Sequence, residues 1–216
     1  LLQTRLTSAD IRVVKVECYG ASRPRDGGTG NEDAFWIWRP SSIVAALCDG
    51  AGAAQHCAAH VLRLFARQIE GGLLQVQSFP AWAHWVRSTD GALAGGSETT
   101  FVGVAVVGDR VLGAYTGDSR AYLVNEGGCR ILSEQSGRRI GTGEAEASPI
   151  HEPLDPHDTL LLMSDGAWTP LPLTIIHRTV MAARMQDFAD LPSMLIDVAG
   201  KHGRADDMTV VALRRR

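Results

Sequence analysis

Acidic residues recur at the tips of apolar runs in this chain. SIVAALCDG ends on Asp49-Gly50, RVLGAYTGDSR carries Asp118, and TLLLMSDG ends on Asp165-Gly166. ADDMTVVAL sets Asp206 and Asp207 ahead of an apolar run, and NEDAFWIW sets Glu32 and Asp33 ahead of another. Any one Asp-Gly at a strand end is most simply a turn, because both residues suit turn geometry. Their repetition changes the reading. If those tips share one edge of a sheet, the carboxylates gather into a cluster that repels itself unless cations neutralise it. Ligands that are all oxygens favour hard divalent ions, Mg²⁺ or Mn²⁺, over zinc.

The elements that must position these residues follow from periodicity. Residues 11–18, 33–38 and 43–48 read as strands, and a helix is expected from about Ala53 to Glu70, closed by Gly71-Gly72. A second helix is expected from Pro80 to Leu93. Runs at 101–107 and 110–115 form a hairpin through Gly108-Asp109, and 121–124 returns at Cys129–Leu132. Residues 133–158, polar and rich in Gly and Pro, read as loop. A strand at 159–164, helices at about 171–187 and 190–201, and a last strand at Met208–Leu213 complete the chain. Helices come in pairs after blocks of strands, which suits antiparallel sheets with helices packed outside and argues against a doubly wound parallel fold. Asp49 and Asp165 follow their strands whereas Asp206 precedes its own. In antiparallel pairs the end of one strand lies beside the start of its neighbour, so all three can share an edge.

Composition narrows the function classes. The chain has 216 residues, with 45% apolar and 21% charged residues and a net charge of −3. These values suit an ordinary globular domain and disfavour a nucleic-acid-binding surface. The basic triplet Arg214, Arg215 and Arg216 reads as a frayed, solvated tail. No apolar run is long enough to cross a membrane, and no signal-peptide pattern opens the chain, which begins without Met. Cys18, Cys48, Cys57 and Cys129 are widely spaced, so a reducing, cytoplasmic compartment is expected. Cys48 precedes Asp49 but lacks the basic loop of a cysteine phosphatase, and reads as core. His56 and His60 have the spacing of a helical zinc pair, yet no Glu or third ligand accompanies them; a solvated or capping role is expected.

The order NED, DGxG, GSETT, GDSRAYL, SDG, DDMTVV over residues 31–213 resembles the metal-dependent serine/threonine protein phosphatases of the 2C type, especially their bacterial branch. The resemblance implies an α+β fold, an αββα sandwich whose two central, mostly antiparallel sheets are flanked by helices. It implies one phosphatase-like domain over 1–216, with a shortened flap at about 133–158. By position, Asp49 would bridge two Mn²⁺ or Mg²⁺ ions, with the Gly50 carbonyl on the second. Asp165 and Asp206 would complete the first ion's ligands, and Glu32 would hold the second through water. Asp33 would orient the attacking water, placing Asp33, Asp49 and Asp165 in the catalytic set. Asp118, with Asp165, matches the site of a weaker third ion. Asp207 stands where Asn is usual.

The implied reaction is hydrolysis of phosphoserine or phosphothreonine in a protein partner paired with a cognate kinase, with neither nucleic acid nor membrane involved. Two alternatives are a sporulation-type phosphatase acting on a phosphorylated regulator and a pseudophosphatase binding module. The sequence departs from the family pattern at Gly28, where a phosphate-gripping Arg is usual. Arg25 or Arg23 is expected to reach over the glycine loop Gly27–Gly30, Arg25 being the assigned residue. The usual Gly-Gly-His after the first Asp-Gly has become Gly52-Ala53-Ala54, with His56 displaced.

Overall fold

A computed structural model describes residues 15–216 apart from 29, 41, 53–55, 95, 135–137, 185–186 and 204. The first residues of the strand expected at 11–18 and of the helix expected from Ala53 therefore lie outside the described residues. So do Ala53 and Ala54 themselves.

Two antiparallel sheets stack face to face. One runs β1 (Val16–Arg23), β11 (Met208–Arg215), β10 (Thr159–Met163), β7 (Arg120–Asn125) and β8 (Gly128–Ile131). The other runs β2 (Asp33–Trp38), β3 (Val44–Gly52), β5 (Phe101–Val107), β6 (Arg110–Thr116) and β9 (Ser148–Pro153), with the short β4 (Ser97–Thr99) paired to the end of β3. Helices α1 (Cys57–Glu70) and α2 (Phe79–Leu93) cover the second sheet. The one-turn α3 (Asp165–Trp168), α4 (Leu173–Ala183) and α5 (Leu191–Gly200) cover the first. This is the αββα sandwich.

Strand alternation sorts the core into layers. Along β3, Ala45 and Leu47 face the layer between the sheets, while Val44, Ala46 and Cys48 face α1 and α2. Along β11, Val211 and Leu213 face inward and Val210 and Ala212 pack under α4 and α5. Phe65 of α1 anchors an aromatic cluster, with ring centroids 5.5 Å from Trp82, 5.1 Å from Trp85 and 5.2 Å from Phe101. Val61 and Phe65 of α1 and Trp82, Trp85 and Val86 of α2 are core.

Three expectations are corrected. The stretch 133–158 is not all loop: Ser148–Pro153 forms β9, an edge strand paired only to β6, where Pro149 and Pro153 are tolerated. The basic triplet is not a frayed tail. Arg214 and Arg215 end β11; Arg214 is 8% exposed, donates to Glu17 at 2.7 Å and lies 4.1 Å over the Phe188 ring. Arg216 also donates to Glu17, at 2.7 Å. Finally, Asp49 does not follow its strand, because β3 runs on to Gly52.

Candidate metal centre

Register places the first two carboxylates. Asp33 and Asp49 are direct partners across β2 and β3. Each shares strand parity with residues that face the layer between the sheets, Phe35 and Ile37 for one and Ala45 and Leu47 for the other. Both carboxylates therefore point into the mouth of that layer. Each is only 8% exposed, and neither Asp33 Oδ2 nor Asp49 Oδ2 has a hydrogen-bond partner among the described residues. Burial pushes the Asp33 carboxyl up to about 7, against the pull of the Ser164 and Thr209 hydroxyls. Burial and then the charges of Asp33 and Asp165 push Asp49 up to about 9.

Asp165 arrives from the other sheet. It opens α3 one residue beyond Ser164, which follows β10, and Gly166 permits a close approach that no other residue would. A Cβ there would lie 2.1 Å from the Asp207 carbonyl oxygen and 3.1 Å from Asp206 Cβ. The start of β11 thus closes on α3, and Asp206 raises the Asp165 carboxyl further after burial has done so. Asp118 lies in the β6–β7 connection. Its neighbour Ser119 meets Thr100 at 2.6 Å between hydroxyls, and Thr100 Oγ1 accepts the Asp49 N–H at 2.9 Å. Thr99 Oγ1 donates to the Asp49 carbonyl at 2.9 Å, and Trp168 Nε1 donates to the Asp118 carbonyl at 3.1 Å. The result is one cluster in which Asp49, Asp118 and Asp165 offer carboxylate oxygens within 4.8 Å of one another.

Glu32 and Asp206 stand outside that tight group, joined by Arg25. Its guanidinium lies 3.3 Å from Glu32 and 3.7 Å from Asp206. The absent side chain at Gly28 makes room, since a Cβ there would meet Arg25 Cγ at 2.9 Å. Arg23 is turned away, paired with Asp197 at 2.7 Å. Gly50 donates its N–H to the Glu32 carbonyl at 3.2 Å, which fixes the spacing of these two residues.

Sequence reasoning missed the anchors. Asp207 is buried, and its two oxygens accept the N–H of Arg25 at 2.7 Å and of Glu32 at 2.5 Å, clamping both ends of the glycine loop. Its place in the DDMTVV motif was the available signal. Arg139 donates to Asp118 from a stretch read as featureless loop, and nothing in the sequence marked it. His56 stands at the N-cap of α1 with φ 99°, exposed and without a side-chain cap hydrogen bond, so of the solvated or capping role expected of it the solvated one is seen.

The same sheet sandwich is found in solved bacterial serine/threonine phosphatases. Stp1 from Staphylococcus aureus superposes with a TM-score of 0.85 at 20% identity, over 93% of this chain and 95% of that one. The serine/threonine phosphatase of S. agalactiae gives 0.82 at 17%, over 94% and 100%. The catalytic domain of the serine/threonine protein phosphatase PstP, solved in complex with 2 manganese ions, gives 0.76 at 22%, over 93% and 98%. At these identities the likeness establishes the fold. No curated protein matches the sequence. The family model for Stage II sporulation protein E matches residues 97–216, and the chain belongs to that family.

Proposed function

We propose that the chain is a metal-dependent phosphatase that releases phosphate from phosphoserine or phosphothreonine in proteins. One observation carries the reading. Asp33 and Asp49 each bury a carboxylate oxygen without a donor among the described residues, and Asp49 offers an oxygen within 4.8 Å of oxygens of Asp118 and Asp165. Buried acceptors are almost always satisfied, and among hard oxygens a divalent ion is the partner that would satisfy these. Paired Mn²⁺ or Mg²⁺ ions supply an activated water and neutralise phosphoryl oxygens.

The chain's residues divide the remaining work. Asp49, Asp165, Asp206 and the Gly50 carbonyl would hold the ions, with Glu32 acting through water. Asp33 would accept a hydrogen bond from the attacking water and so orient it. Arg25, paired with Glu32 and Asp206, would take the substrate phosphate. The whole chain would act as one domain whose flap, about 133–158, is short. Its four unpaired cysteines suit a reducing compartment, the cytoplasm.

Membership of the sporulation family favours a phosphorylated regulator as the protein substrate, with a cognate kinase upstream. A binding module without turnover is disfavoured, because carboxylates kept at this spacing without a cation only repel one another. Hydrolysis of an aryl phosphate tests the reading: it is expected with Mn²⁺ and lost on adding chelator. Full activity in excess chelator would show that no ion is needed.

A further inference from the structure

The Arg139 guanidinium occupies the chelating face of Asp118. A single nitrogen, Nη2, lies 3.2 Å from Oδ1 and 3.1 Å from Oδ2. That is where a divalent ion sits on a bidentate carboxylate. The neighbouring Arg138 turns the other way, to Glu144.

The backbone beneath Arg139 is held on every side. The Arg138 carbonyl accepts from Thr116 Oγ1, and Ile140 exchanges two hydrogen bonds with Thr99, each 2.9 Å. Thr142 Oγ1 donates to the Arg139 carbonyl at 2.9 Å. The next turn hangs on Asp90, a buried residue of α2. Its carboxylate accepts the N–H groups of Gly141 at 2.7 Å, Gly143 at 3.0 Å and Ala145 at 3.0 Å. Exposed ion pairs are usually weak because two long side chains must be ordered to form them. Here Asp118 and the Arg139 backbone are fixed beforehand, and the two side chains are only 29% and 22% exposed.

We propose that Arg139 is the resident cation of Asp118. It fills from within the protein the position that a further divalent ion would take, so the chain loads ions on its Asp49, Asp165 and Asp206 side. An ion reaches Asp118 only by displacing the guanidinium. Because Arg stays charged at every working pH, the charge of Asp118 is compensated whatever the metal supply. The inference rests on the metal-dependent reading above and adds to it the number of ions and what limits it.

Equilibrium dialysis against Mn²⁺, with the bound metal measured by atomic absorption, tests this at the free concentration that saturates the paired site. The wild-type chain is expected to hold two ions, Arg139→Ala three, and Arg139→Ala with Asp118→Asn two again. Asp118→Asn alone, which keeps the rest of the fold's hydrogen bonds, is expected to hold two. Three ions on the wild-type chain, an Arg139→Ala count that stays at two, or loss of an ion in Asp118→Asn would each overturn the proposal. Absence of any bound Mn²⁺ on the wild-type chain would instead overturn the metal reading, and this inference with it.

Discussion

Asp33 and Asp49 can carry charge only at a cost in the metal-free protein, since burial lifts their carboxyls to about 7 and about 9. A folded-state value raised above the unfolded one means that the native chain holds a proton which the unfolded chain has released. Stability is then greatest below the unfolded value near 3.8, and it is lost as pH rises through 7 and 9. In chelator, Tm is expected to fall steadily from pH 5 to pH 9, and added Mn²⁺ should remove most of that slope. A Tm flat with pH in chelator would mean that these carboxylates are not under strain. Asp49→Asn is expected to raise Tm in chelator while lowering kcat by several orders of magnitude with Mn²⁺ present, because the variant loses both the buried charge and a ligand. At the rim, Arg25→Ala is expected to lower kcat/KM by about 10- to 100-fold, as loss of one charge-assisted phosphate contact does. Arg23→Ala, already committed to Asp197, should stay within about two-fold of wild type. Equal effects from both would place the phosphate elsewhere.

Between elements, the site depends on connections that bring two sheets to one edge. Asp207 ties the loop before β2 to the start of β11 through two N–H groups. Asp207→Ala strands both donors in a part-buried place, a loss of about 2 kcal/mol, or roughly 4–8 °C in Tm. It should also raise the Mn²⁺ concentration needed for half-maximal activity, because Glu32 hangs on one of those bonds. An unchanged Tm would show the clamp to be dispensable. The strands that carry Asp33 and Asp49, and the one that leads to Asp165, were legible because their apolar runs are short and punctuated by Asp-Gly or Asn-Glu-Asp. β9 was not, because its two prolines erase the pattern and only an edge position makes them acceptable. The burial of Arg214 was hidden for another reason: its partners Glu17 and Phe188 are remote in sequence, and no local signal announces such a pairing. Arg139 escaped likewise, since Asp90, which anchors its loop, reads as an ordinary polar position on a helix.

Taken whole, the molecule sets two antiparallel sheets against each other and lets their shared core end in carboxylates instead of apolar side chains. The layer that stabilises the fold also desolvates the site, which is why its acids are raised and why cations should bind there and stabilise the chain. Ligand binding to the native state alone raises stability with ligand concentration, so Tm at neutral pH should climb with added Mn²⁺. Phosphate release from a phosphoserine peptide, followed across a Mn²⁺ titration in the wild-type chain and in Asp49→Asn, bears most directly on the central claim. Release that rises with Mn²⁺ in the wild-type chain, stops with chelator and is all but absent from a folded Asp49→Asn is the expected result. Release that persists in excess chelator, or that survives in Asp49→Asn within a few-fold of wild type, would contradict a metal centre built on these carboxylates.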